Sequence, residues 1–266
     1  MNSRRTLLRL GAGIAALGVP ALSRGAQTRS LADPLRLAAD DALIESGLAP
    51  LLQQRFGQDT GVAVKLLTGP ATSLLDALER GEHDAALTNA PDVEARLDKQ
   101  GLVHDRRLVA VSDFVLIGPS AFAKPLAAAH DMEVALARLA QAEVAFVARA
   151  DGSGTHLAEL TAWRIAKVSP GGAWYQQAPP ATSLVAQARD RHACTIVDRG
   201  VWSAQPVKGY AVLAGDDPRL AVEVHVMRTF RAERQHPAGK LFVAWIAGDK
   251  GRALVAAHRG YRTGPR

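Results

Sequence analysis

The densest chemistry in this chain of 266 residues lies at Arg149-Ala150-Asp151-Gly152-Ser153-Gly154-Thr155-His156, directly after the apolar run Phe146-Val147-Ala148. A buried strand that enters a small, glycine-rich turn and then a helix leaves the first helical N–H groups unpaired. Those groups, with the helix dipole behind them, make an anion site. Arg149 adds a permanent charge and a fork of donors. Ser153 and Thr155 suit the N-cap, and a purely structural cap accounts for both hydroxyls taken alone. Ser153 near His156 invites a hydrolase reading, but a nucleophile elbow needs Gly-x-Ser-x-Gly, and here Asp151 stands two residues before the serine.

Three other segments have the same strand–turn–helix character: Ala39-Asp40-Asp41-Ala42, Thr68 to Ser73, and Pro180 to Ser183. In open α/β sheets ligands bind beyond the carboxyl ends of strands, where helix N-termini converge. The candidate ligand-binding set is therefore Arg149, Ser153, Thr155, Thr72, Ser73, Thr182, Ser183, Asp40 and Asp41. An Asp40/Asp41 pair facing Arg149 suits a ligand with a positive or donor group, such as an organic zwitterion. The alternative leaves both acids in solvent as ordinary strand-end residues. No metal site is expected, because the eight histidines are scattered and Cys194 is the only cysteine. No cofactor and no catalytic residue is expected either.

The elements that must position these residues alternate. Apolar runs over Leu35–Ala39, Val62–Leu67, Ala85–Thr88, Leu108–Gly118, Val144–Ala148, Ala193–Val197, Tyr210–Ala214 and Val222–Val226 read as strands. Helical spacing covers Leu48–Phe56, a segment from about Thr72, Asp92–Gln100, Asp131–Gln141, His156–Val168, Leu184–Arg191 and a final helix over Pro237–His258. Strand–helix alternation predicts an α/β fold with parallel sheets covered on both faces. Cys194, within an apolar stretch, reads as a small buried hydrophobe.

The N-terminus is separate in character. Ser3-Arg4-Arg5-Thr6-Leu7-Leu8-Arg9 precedes a short apolar run rich in Gly and Ala, which reads as an export signal over residues 1–26, cleaved in the periplasm. The arginine pair resembles a twin-arginine signal. Setting aside Arg4, Arg5, Arg9 and Arg24 lowers the formal charge from +6 to +2, too weak a balance to argue for nucleic acid.

The Arg149-x-Asp151-x-Ser153-Gly154-Thr155-His156 segment is similar to the signature of the periplasmic tungstate-binding proteins of ABC transporters. Further matches follow in order: Ser46-Gly47-Leu48, Arg80-Gly81-x-x-Asp84, Asn89-Ala90-Pro91, Asp105-Arg106-Arg107, Asp113 to Pro119, Trp174-Tyr175, Thr195-x-x-Asp198-Arg199-Gly200-x-Trp202, and Gly215-Asp216-Asp217-Pro218-Arg219. The resemblance implies a type II periplasmic-binding fold, with lobe 1 from 33–115 and 215–266, lobe 2 from 116–214, and crossings near Phe114–Pro119 and Tyr210–Arg219. It implies a monomeric solute-binding protein that serves a membrane permease, not an enzyme, with Arg149 matching the family's anion-contacting arginine. A ligand-sensing or adaptor protein of the same fold is the second reading. The family carries a Thr/Ser run where this sequence has Ala39-Asp40-Asp41-Ala42, and two carboxylates there would repel a tetrahedral dianion by several kcal/mol.

Replacing Arg4 and Arg5 together by Lys should trap the precursor in the cytoplasm, as read by cell fractionation and immunoblotting. Normal processing of the double variant would point to the general secretory route.

Overall fold

The computed structural model describes residues 29–123, 131–179, 182–231 and 235–264. The export segment at 1–26, with Pro180 and Ala181 of the fourth loop, lies outside them.

Strand β1 (Leu35–Asp40) is buried at nearly every position, as expected of a strand covered on both faces. It pairs in parallel with β2 (Val64–Gly69) on one side and β3 (Ala85–Thr88) on the other. Helices α1 (Asp41–Glu45), α2 (Leu48–Thr60) and α3 (Ala71–Glu79) connect these strands, and α4 (Pro91–Lys99) leads into β4 (Val103–Pro119). There follow α5 (Met132–Gln141), β5 (Phe146–Ala148), α6 (Gly154–Ile165), β6 (Tyr175–Gln177), α7 (Leu184–Asp190), β7 (Thr195–Asp198) and α8 (Arg199–Ala204). The chain then forms β8 (Tyr210–Ala214), β9 (Ala221–Thr229), α9 (Pro237–Ala247) and α10 (Asp249–Ala257). Among the described residues no helix is long and apolar enough to cross a membrane.

The fold is α/β, but the sheet is mixed rather than parallel. Its order is β2-β1-β3-β9-β4-β7, with β8 also on β4. Among the described residues β1–β2, β1–β3 and the separate β5–β6 pair are parallel, as is the isolated bridge Phe146–Cys194, whereas β9 and β4 run antiparallel to their neighbours. Alternation of strands and helices reports that helices cover a sheet, not the direction from which a long strand enters it.

Strand β4 organises the molecule. Its Val103–Asp113 portion pairs with β9, and from Phe114 onward it pairs with β7 and β8. The return path, from β8 to β9, lies beside the switch. Arg199 joins the two segments there: its Nε and Nη2 donate to Asp113 at 2.5 and 2.6 Å, and Nη2 also reaches Asp216 at 2.9 Å. A bidentate guanidinium–carboxylate pair restricts both partners in direction as well as distance.

The expected final helix over Pro237–His258 is two helices. Gly248 adopts φ −82° and ψ −179°, leaves the helical region, and becomes the N-cap of α10, with Arg252 N–H donating to its carbonyl at 3.0 Å. The apolar pattern continues across the break because both helices pack against the same core. The elements missing from the sequence reading, α1, β6 and α8, span only three to six residues each and are too short to show a period.

Two aromatic groups hold the helices in place. Phe56 of α2 meets Phe242 and Trp245 of α9 edge-on, at ring-centroid distances of 5.1 and 5.4 Å. Phe146 packs against Trp163 at 5.0 Å and Tyr175 at 5.7 Å, directly behind the Arg149 turn. Cys194 is buried, and burial pushes its thiol up to about 12.

Phe56 is fully buried. Phe56→Ala should therefore cost about 3–5 kcal/mol, from lost transfer energy and the cavity left behind. Urea unfolding would register this as a lower midpoint at an unchanged slope.

Candidate functional site

The site begins at Asp40, the last residue of β1. Its Oδ1 accepts the N–H of Ala42, capping α1 at 3.0 Å. Its Oδ2 accepts the N–H of Ala71 at 3.1 Å and that of Gly154 at 3.3 Å. Ala71 and Gly154 are the first residues of α3 and α6, so one fully buried carboxylate collects N–H donors from three helix starts. Burial raises its pKa to about 6, against the pull of these N–H bonds.

Arg149 enters from the opposite side. Its N–H donates to Glu159 Oε2 at 2.9 Å. The buried Glu159 also receives the Tyr175 hydroxyl and the Trp163 ring N–H, so the aromatic group fixes the start of the turn. Ala150 takes φ +53°, which swings the chain into Asp151-Gly152-Ser153. The guanidinium is nearly committed: Nε donates to Asp151 Oδ2 at 2.7 Å and Nη1 to the Thr182 carbonyl at 2.9 Å. Its Nη2 stands 3.8 Å from Asp41 Oδ2 and 3.9 Å from Glu45 Oε1, outside hydrogen-bond reach.

Between these groups lies a tight cleft whose water-accessible volume is about 10 Å³, room for roughly one water molecule. Asp40, Asp41, Glu45, Arg149, Asp198, Ser153 and Thr155 form its polar wall, and Ala42, Leu184, Val197 and Val201 the apolar one. Burial raises Glu45 to about 7; Arg149 pulls it back, while Asp41 and Asp40 push it further. Asp198 ends β7 and caps α8, its Oδ1 accepting from Gly200 N–H at 2.6 Å and Tyr261 hydroxyl at 2.9 Å. Its Oδ2 is buried without a hydrogen-bond partner. Burial brings Asp198 to about 7.

The structure brings Asp40, Asp41, Arg149, Ser153 and Thr155 to this cleft. It does not bring the hydroxyls of Thr72, Ser73, Thr182 and Ser183. Thr72 Oγ1 donates to the Gly152 carbonyl at 3.0 Å, and Ser73 is exposed on α3. Thr182 turns its hydroxyl to the Pro179 carbonyl and serves Arg149 only through its own carbonyl. Ser183 caps α7 and donates to Gln205. Backbone and side-chain groups of the fold satisfy Thr72, Thr182 and Ser183 before a ligand can. Ser153 Oγ likewise accepts His156 N–H as a cap, and His156 Nδ1 accepts from Gly152 N–H, so neither is set up as a nucleophile with its base. Among the described residues no cluster of His, Cys, Asp or Glu could hold a metal ion.

Sequence reasoning missed Glu45 and Asp198. The spacing Asp41-x-x-x-Glu45 puts both on one face of a helical turn. Asp198 ends an apolar run ahead of a helix, the same signal that singled out Asp40.

The PBP superfamily domain matches residues 25–250. The chain belongs to the PBP superfamily. It is 27% identical to the tungstate-binding protein TupA of Peptoclostridium acidaminophilum, over 84% of this chain and 80% of that protein. It is 30% identical to a putative ABC transporter anion-binding protein of Haloferax volcanii, over 64% of this chain and half of that protein. The crystal structure of the tungstate ABC transporter from Geobacter sulfurreducens superposes with a TM-score of 0.75 at 26% identity, over 85% of this chain and 98% of that one. This PBP-superfamily chain therefore shares the scaffold of periplasmic binding proteins with two lobes.

Asp198 gives the chain a distinctive pH response. Its carboxyl titrates near the usual 3.8 when unfolded and near 7 when folded, so the folded protein holds the extra proton between those values. Its stabilising contribution is present below about pH 4 and is lost as pH rises through about 7, a span on the order of 4 kcal/mol. Asp198→Asn keeps an acceptor for Gly200 and Tyr261 but cannot titrate. Its melting temperature should fall less than that of the native protein between pH 5 and pH 8 in a calorimetric scan, and identical profiles would assign the pH response to other groups.

Proposed function

We propose that this protein is the extracytoplasmic solute-binding component of an ABC importer of the tungstate/molybdate oxyanion type. In this reading it is exported through the signal at 1–26, works as a monomer without a cofactor, and delivers a small ligand to a membrane permease. Residues 33–115 with 215–266 form one lobe and residues 116–214 the other, and the ligand sits between them. One observation carries the reading. N–H groups from the starts of three helices, at Ala42, Ala71 and Gly154, converge with Arg149 on a single cleft. Free helix N-termini and a guanidinium are receptor chemistry for an anion. The relatives named as tungstate-binding and anion-binding proteins support it.

In this chain the three donors are turned on Asp40. Two negative charges 4 Å apart repel by about 4 kcal/mol at an effective dielectric constant of 20, so Asp40 and a free oxyanion compete for one seat. Asp40→Thr removes that charge and restores a hydroxyl. Titration calorimetry should show tungstate binding to the Asp40→Thr protein at least tenfold more tightly than to the native one. Absence of tungstate binding in both proteins would overturn the assignment of this cleft to an oxyanion-type receptor.

A further inference from the structure

We propose that Asp40 is an internal ligand: its carboxylate holds the two lobes closed while no solute is bound, and a solute enters only once that contact opens. The proposal rests on the lobe division and the cleft assignment given above, and it concerns the protein before it binds.

Polar ties cross between the lobes around the cleft. Asp40 Oδ2 accepts Gly154 N–H at 3.3 Å from the opposite lobe, alongside Ala71 N–H at 3.1 Å from its own. Thr72 Oγ1 donates to the Gly152 carbonyl at 3.0 Å. Gln205 Nε2 donates to the Glu45 carbonyl at 3.2 Å, and the Tyr261 hydroxyl donates to Asp198 Oδ1 at 2.9 Å. Asp40 takes the part an anion would play, because one of its oxygens draws helix-start N–H groups from both lobes. The space left agrees with a closed form. About 10 Å³ of water-accessible volume admits a water molecule and excludes a tetrahedral oxyanion, so the lobes must separate before one can enter.

Closure also carries a cost that opposes it. Among the described residues four buried side-chain polar atoms lack a hydrogen-bond partner, and three of them lie at this junction: Asn89 Oδ1 and Nδ2, and Asp198 Oδ2. Asn89 belongs to one lobe and is 4% exposed, pressed so closely on Gly154 of the other that a Cβ there would overlap its amide. An unpaired buried polar group bears its full desolvation penalty, and separation of the lobes returns these atoms to water. The neighbours of Asp40 therefore favour the opening that Asp40 resists. Apparent affinity falls with the fraction of molecules that are open, so the contact sets how readily the native protein binds.

Leu160 on α6 and Leu241 on α9 are exposed and lie on different lobes, whereas Cys194 is buried. Spin labels on Leu160→Cys and Leu241→Cys therefore report lobe separation by pulsed dipolar spectroscopy. The otherwise native protein, dialysed free of anions, should give a single short distance that tungstate leaves unchanged. Asp40→Asn keeps an N-cap for α1 but offers one acceptor oxygen in place of two, and should add a longer-distance population. Gly154→Ala should do the same by wedging Asn89, with the Asp40 cap of α1 intact, and it carries the test if Asp40→Asn does not fold by circular dichroism. The proposal is overturned if the native protein without solute already shows the longer distance and tungstate shortens it, a result that leaves the importer reading in place. It is equally overturned if folded Asp40→Asn keeps the native distance, or if Gly154→Ala does so where Asp40→Asn does not fold. A native protein that is closed and variants that open, with no shortening by tungstate in any of them, would uphold the internal ligand and overturn the oxyanion assignment instead.

Discussion

Three helices in this protein begin at one carboxylate. Asp40 takes N–H groups from Ala42, Ala71 and Gly154, which lie in the first turns of α1, α3 and α6. Helix starts ordinarily need a cap, water or a ligand to satisfy their donors. Here a single fully buried side chain supplies part of all three, at the cost of desolvating a charge. The rest of the site follows from that geometry. Because Ala71 belongs to the segment after β2 and Gly154 to the segment after β5, Asp40 ties together parts of the chain that are more than 80 residues apart. Thr72, through the Gly152 carbonyl, adds a second tie between the same two segments.

The surrounding electrostatics are those of a site with its own anion built in. Arg149 balances part of the charge, but Asp151 and the Thr182 carbonyl occupy two of its three donor nitrogens. Asp41, Glu45 and Asp198 remain on the cleft wall with their acceptor capacity incompletely used. The scaffold of periplasmic binding proteins is kept, and the loop after β1 carries two carboxylates, Asp40 and Asp41. A fold fixes where helix starts meet, and the residues placed there decide what they meet around.

The long strand β4 and the Arg199 clamp serve a different purpose. β4 belongs to two sets of pairings, and its partners change at Asp113–Phe114, where Arg199 holds Asp113 and Asp216. The β8–β9 return runs beside this switch, where Asp216 N–H donates to Asp113 at 3.3 Å.

Much of the fold was legible because buried strands write themselves as apolar runs: Ala85–Thr88 and Tyr210–Ala214 match to the residue. The Arg149 turn and the Asp40-Asp41 pair were legible too, since strand–turn–helix junctions carry their own composition. Strand direction was not, because β9 and β4 pair antiparallel through contacts that leave no periodic trace. The break at Gly248 was hidden by an apolar pattern that serves two helices packed on one core. What the sequence by itself determined, then, is the inventory: α/β elements, candidate caps, and acids where a donor-rich loop would suit an oxyanion. Only the tertiary structure decided the use of each polar group. Thr72, Thr182 and Ser183 are satisfied by backbone and side chains of the fold, while Asp198 comes from the end of a distant strand to line the same cleft. Hydrogen bonds are short and directional, so whether a donor is spent locally or left for a ligand depends on distances that exist only once the chain has folded.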